Sequence, residues 1–133
     1  MRRADEFTVG ERFSLQRECD RYRPIYYAAA SGDFNPIHID PEVGAAAGLG
    51  GVILQGLCTM AWAAEAAIRL YGEPTRLKKL KVRFARPVKP GDTLTFQGVV
   101  TKVEGARVTA ELEAVNQRGE QVLKGGLAEG ECE

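Results

Sequence analysis

From Gly56 to Tyr71 almost every position is apolar, with Leu57, Met60, Ala61, Ala64, Ile68 and Tyr71 recurring at helical spacing. Glu65 and Arg69 are the only charges in this stretch, and their i,i+4 separation suits a helix. The many alanines make it slim, and a helix apolar nearly all round is predicted to be buried on most sides. Past Gly72 and Pro74 the repeat shortens to that of a strand. Leu80, Val82 and Phe84 alternate with Lys79, Lys81 and Arg83, and Pro87 with the Pro90-Gly91-Asp92 turn ends that strand. Leu94 and Phe96 open the next strand, whose apolar phase then changes to Val99, Thr101 and Val103. The slip predicts a bulge at Gln97-Gly98. Val108, Ala110, Leu112 and Ala114 alternate in a third strand, and residues 120–129 make a fourth. Glu104-Gly105 and the segment Asn116 to Gly119 supply the turns between them.

The first half is less periodic. Phe7, Val9, Phe13 and Leu15 alternate loosely over residues 6–19 and predict a short strand. Arg23 to Ala30 reads as a short helix, with Pro24 at its first turn and Gly32 past its end. Asp40-Pro41-Glu42 starts a second short helix that runs to about Ala47, with Asp40 as cap. Residues 31–39 are then a loop clamped between two helices. Short helices, one long buried helix and an antiparallel meander give the α+β class, a single domain over residues 1–133 with a sheet curled round a helix. One sheet over one helix leaves open edges, which a dimer pairing two edges would remove.

Composition adds exclusions. The 133 residues carry 18 Lys plus Arg against 18 Asp plus Glu, so net charge gives no reason to expect nucleic acid or an anionic membrane surface. Cys19, Cys58 and Cys132 are odd in number and widely spaced, a poor disulfide framework that fits a reducing compartment. The charged start, Met1 to Glu6, does not read as a secretory signal, and the 56–68 stretch is too short to span a bilayer. A cytoplasmic protein is expected.

Candidate chemistry gathers in the loop. His38 is the one histidine, five residues after Asp33, among Phe34, Ile37 and Ile39, with Asn35-Pro36 stiffening the backbone before it. A turn aspartate beside a surface histidine is the plain alternative. A carboxylate and an imidazole close together could instead grip one water, with His38 exchanging a proton near neutral pH. One histidine and no H-E-x-x-H argue against a metal, and no G-x-S-x-G is present. At the start of the long helix, Gln55-Gly56 offers free backbone N–H groups that could hold a carbonyl oxygen.

Residues 27–40, Tyr-Ala-Ala-Ala-Ser-Gly-Asp-Phe-Asn-Pro-Ile-His-Ile-Asp, resemble the hydratase motif of MaoC-like, (R)-specific 2-enoyl-CoA hydratases. Leu54 to Met60 is similar to that family's central-helix start, and Val82 to Leu94 to its next signature. The resemblance covers roughly residues 6 to 129. It implies a hot-dog fold, the sheet as bun and the 56–71 helix as sausage. It implies Asp33 and His38 as the catalytic pair, the Gly56 N–H as oxyanion hole, and Ser31, Asn35 and Gln55 at the substrate. It implies reversible hydration of a trans-2-enoyl thioester to a (3R)-3-hydroxyacyl thioester, carried on coenzyme A or acyl carrier protein, with no cofactor besides, in a homodimer or dimer of dimers. Gln55 departs from the histidine usual there, and the serine that some members carry early in the helix falls near Ala61.

Residues 76–89 hold seven basic side chains and no acid. They are either a solvated strand face or a strip for coenzyme A or carrier-protein phosphates, with Lys79, Lys81, Arg83 and Arg86 as the candidates. Cys58, in the first helical turn, could have its pKa lowered by the dipole, although a small buried residue is the ordinary reading. Two rival functions are a thioesterase using Glu65, and a non-catalytic acyl-binding subunit of a heterodimer. The Asp33/His38 loop speaks against both.

Overall fold

A computed structural model describes residues 1–133. Strand β1 (Arg12–Glu18) is followed by helices α1 (Arg23–Ser31), α2 (Pro41–Ala46) and α3 (Gly56–Tyr71). Strands β2 (Leu77–Phe84), β3 (Thr93–Glu104), β4 (Arg107–Val115) and β5 (Gln121–Glu131) complete the chain. All five strands form one antiparallel sheet in the order β1-β3-β4-β5-β2. The α+β class is as expected, but the meander is not: β3, β4 and β5 run as neighbours, whereas β2 crosses to pair with the far side of β5.

Helix α3 packs on the inner face of the sheet. Thr59, Ala63, Ala66, Ala67, Leu70 and Tyr71 are its buried residues there, together with Cys58. The expected stripe meets the core only in part, at Tyr71. Leu57 is 63% exposed and Ala61 is also open. Small side chains let the helix axis approach the sheet, so Ala63, Ala66 and Ala67 take the middle of the buried face and Leu70 and Tyr71 close its C-terminal end. The helix ends on Tyr71, whose hydroxyl donates to the Val108 carbonyl (2.9 Å), and on Gly72 in the left-handed conformation (φ 103°).

The expected bulge also moves. Leu94, Phe96, Gly98 and Val100 all face inward, and the register with β4 shifts between Val100 and Lys102. Gly98 interrupts the apolar pattern without leaving the inward phase. A Cβ there would stand 2.1 Å from the Phe13 ring. The side chain missing from position 98 is replaced by one reaching across from β1, where Phe13 and Gly98 are paired.

Candidate active site

The loop after α1 is built by three short side chains that each bond the backbone two residues on. Ser31 Oγ donates to the Tyr27 carbonyl (2.7 Å) and accepts from Asp33 N (3.1 Å). Asp33 Oδ1 accepts from Asn35 N (3.2 Å), and Asn35 Oδ1 accepts from Ile37 N (3.2 Å), capping a one-turn 3-10 helix over Pro36–His38. This cascade turns the chain tightly enough to bring residue 38 back beside residue 33. Helix α2 then starts as expected, with Asp40 Oδ1 accepting from Glu42 N (3.0 Å).

His38 is buried, its side chain 9% exposed against 45% for Asp33. His38 Nδ1–H donates to the Ile53 carbonyl (2.8 Å), because a carbonyl can only accept. In the neutral imidazole this contact places the lone pair on Nε2. Nε2 lies 3.8 Å from Asp33 Oδ2. This is too long for a direct hydrogen bond, but a single water can reach both atoms at about 2.8 Å. Asp33 thus divides its carboxylate, one oxygen holding the loop and the other facing the imidazole.

His38 opens onto a cavity of about 290 Å³ between the start of α3 and the segment after β2. Gly56, Thr59, Phe84, Arg86 and Val88 are among the residues lining it. Gly56 is the first residue of α3, and its N–H makes no hydrogen bond within the chain. A Cβ at position 56 would sit 3.2 Å from the Phe84 ring, so glycine keeps that corner open.

Three expected substrate contacts are otherwise engaged. Ser31 and Asn35 are exposed and spend their oxygens on the loop. Gln55 is 1% exposed, and its Nε2 donates to the Pro24 carbonyl (2.9 Å), tying the start of α1 to the start of α3. Its Oε1 is sealed without a partner, a cost of about 1–3 kcal/mol. The basic strip is split. Arg86 lines the cavity, 3.6 Å from Glu120, whereas Lys81 borders a separate concavity on the outer face of the sheet, with Lys79 and Arg83 at strand spacing on that same side. Sequence reasoning missed Thr59 and the Ile53 carbonyl. Thr59 carried a weak signal as the one aliphatic hydroxyl of an apolar helix, whereas a main-chain carbonyl carries none.

Glu65 is clamped by Arg17, which bonds both of its oxygens, and by Arg69 (3.2 Å). The Arg17 hydrogen bond holds its carboxyl below the usual range. A carboxylate so engaged, away from the cavity lining, is not placed to serve a thioesterase. Cys58 is buried, and desolvation pushes its pKa up to about 11, so the dipole effect expected from its place in the helix does not prevail. Iodoacetamide at pH 8 is therefore expected to leave Cys58 unmodified in the native protein and to label all three thiols after denaturation, as peptide mass mapping would read. Rapid native labelling of Cys58 would contradict its burial.

The family model for the MaoC like domain matches residues 10–121. A probable enoyl-CoA hydratase 2 from Dictyostelium discoideum is 35% identical over 106 residues, 78% of this chain and 35% of that protein. The peroxisomal enoyl-CoA hydratase 2 of Arabidopsis thaliana is 41% identical over 97 residues, 71% of this chain and 30% of that protein. The chain thus spans about a third of the length of these relatives. The unliganded R-hydratase PhaJ1 from Pseudomonas aeruginosa superimposes with a TM-score of 0.88 at 29% identity, over 98% of this chain and 84% of that one. The curved sheet on its central helix is the hot-dog fold, and with residues 10–121 matched the chain belongs to the MaoC-like dehydratase family.

Proposed function

We propose that this chain is a hydro-lyase that reversibly adds water to a trans-2-enoyl thioester, giving the (3R)-3-hydroxyacyl thioester. The observation that carries the reading is the 3.8 Å separation of Asp33 Oδ2 and His38 Nε2, with His38 and Gly56, whose N–H is free, lining one cavity. Relatives named enoyl-CoA hydratase 2, and a similar fold named R-hydratase, support it. Gly56 N–H polarises the thioester carbonyl at the positive end of α3. Asp33 Oδ2 accepts one hydrogen of the water and aims it. His38 Nε2 takes the other as the oxygen bonds C3, and electron density moves through C2 onto the carbonyl oxygen. A proton returns to C2 from the Asp33/His38 side, so the water is consumed and both side chains recover their starting states. No cofactor enters this scheme.

The carrier is coenzyme A or acyl carrier protein, and Arg86 at the cavity is the candidate for its phosphate. The assembly is a homodimer or a dimer of dimers. β1 and β2 are open edges, and Phe34, Leu57 and Phe84, each beside or within the site in the chain, are exposed apolar residues that a second copy would cover. No helix is long and apolar enough to cross a membrane. Cytoplasmic residence fits the three unpaired cysteines, although the Arabidopsis relative is named peroxisomal.

The test is a panel of trans-2-enoyl-CoAs of increasing length, followed at the enoyl absorbance, on protein whose size has been measured in solution. Loss of the double bond and a (3R) product from a dimer or larger assembly is expected. Release of free thiol without hydration would sink the reading.

A further inference from the structure

We propose that the Thr59 hydroxyl is a second hydrogen-bond donor to the thioester oxygen, acting beside the Gly56 N–H. The inference rests on the hydratase reading and deepens it. Thr59 lines the same cavity as His38 and Gly56. It stands three residues after Gly56, so the two share one face of the first turns of α3. Helical side chains lean toward the N-terminus, which tips the Thr59 side chain over the turn that carries the free N–H. The residue is 2% exposed, yet its hydroxyl makes no hydrogen bond within the chain, not even the usual one to the carbonyl four residues back. It is also not sealed in: the one sealed side-chain atom without a partner is Gln55 Oε1. The hydroxyl therefore opens onto the cavity. Burying an unpaired hydroxyl in an apolar wall is unfavourable unless something arrives to bond it. The group that arrives at the start of α3 is a carbonyl oxygen that gains negative charge during the reaction. A neutral O–H that strengthens its bond as that charge grows favours the transition state over the bound substrate.

The experiment compares Thr59→Val and Thr59→Ser in the full chain, with crotonyl-CoA as substrate. Valine keeps the shape and removes the donor, and serine keeps the donor. The expected result is a kcat lower by at least about tenfold in Thr59→Val with KM little changed, and most of the activity retained in Thr59→Ser. A second readout does not depend on turnover. In an Asp33→Asn background, bound 2,4-hexadienoyl-CoA is expected to absorb at longer wavelength than free, and the shift is expected to shrink on adding Thr59→Val. Wild-type kcat and an undiminished shift in Thr59→Val overturn the inference. So does equal impairment of both variants with a lowered melting temperature, which marks a packing role. If the unmutated chain hydrates no enoyl-CoA, the hydratase reading itself falls and takes this donor with it.

Discussion

Replacing Asp33 by asparagine is expected to lower kcat for crotonyl-CoA hydration by about a thousandfold, within the range a positioned acid–base group supplies. Asparagine is the informative choice because of how the carboxylate is used. Oδ1 accepts from Asn35 N (3.2 Å), and an amide oxygen can accept that bond equally well, so the loop keeps its shape. What is lost is the negative oxygen facing His38 Nε2 at 3.8 Å. The thermal midpoint of Asp33→Asn should therefore match the unmutated protein, a change within about 0.5 kcal/mol being typical for such a surface position. Asp33→Ala also removes the acceptor for Asn35 N and is expected to lose some loop order in addition. Turnover of Asp33→Asn close to that of the parent chain would remove the carboxylate from the mechanism.

Gly44→Ala is expected to damage both stability and rate from a position outside the cavity. A Cβ at residue 44 would stand 1.9 Å from the Gly51 carbonyl oxygen, backbone against which no rotamer can yield. Helix α2 or the 48–51 segment must move, at a cost of about 1–3 kcal/mol in a thermal or urea melt. The segment that moves leads directly to Ile53. Ile53 N donates to the Ile37 carbonyl (3.1 Å), and the Ile53 carbonyl holds His38 Nδ1–H. Small displacements of a proton-accepting nitrogen are costly, so kcat should fall by up to about a hundredfold. Ala45→Gly, one position along on an exposed face of α2, supplies the control, since it weakens the helix without the clash. A Gly44→Ala protein with parental melting and turnover would show that the contact is soft.

The elements of the site were legible because their signals are local. Pro24 and Gly32 bracket α1, Asp40-Pro41 starts α2, and the change of period after Gly72 separates α3 from the strands. Pairing of β2 with β5 was not legible, since nothing in residues 77–84 encodes which neighbour they will meet. The buried face of α3 was misread because apolarity does not distinguish its sides. What distinguishes them is contact with the sheet, which buries Ala63, Ala66, Ala67, Leu70 and Tyr71 and exists only in the folded chain. The bulge was misread because Gly98 leaves a gap in the pattern that Phe13 fills from another strand. Asp33 and His38 stand out as residue types, whereas nothing in the sequence signals that the Gln55 amide turns inward to Pro24. Direction of a side chain at a helix start depends on what packs behind it.

The supports of the two central side chains are main-chain atoms: the Ile53 carbonyl for His38, and the Asn35 N–H for Asp33. A carbonyl exists at position 53 whatever residue occupies it, and an amide N–H at position 35 for any residue but proline. Substitutions can therefore accumulate around the pair without loosening it, provided the backbone path survives. That tolerance ends at the side chains that fold the loop, since the Ser31 and Asn35 oxygens hold the backbone path on which both contacts depend.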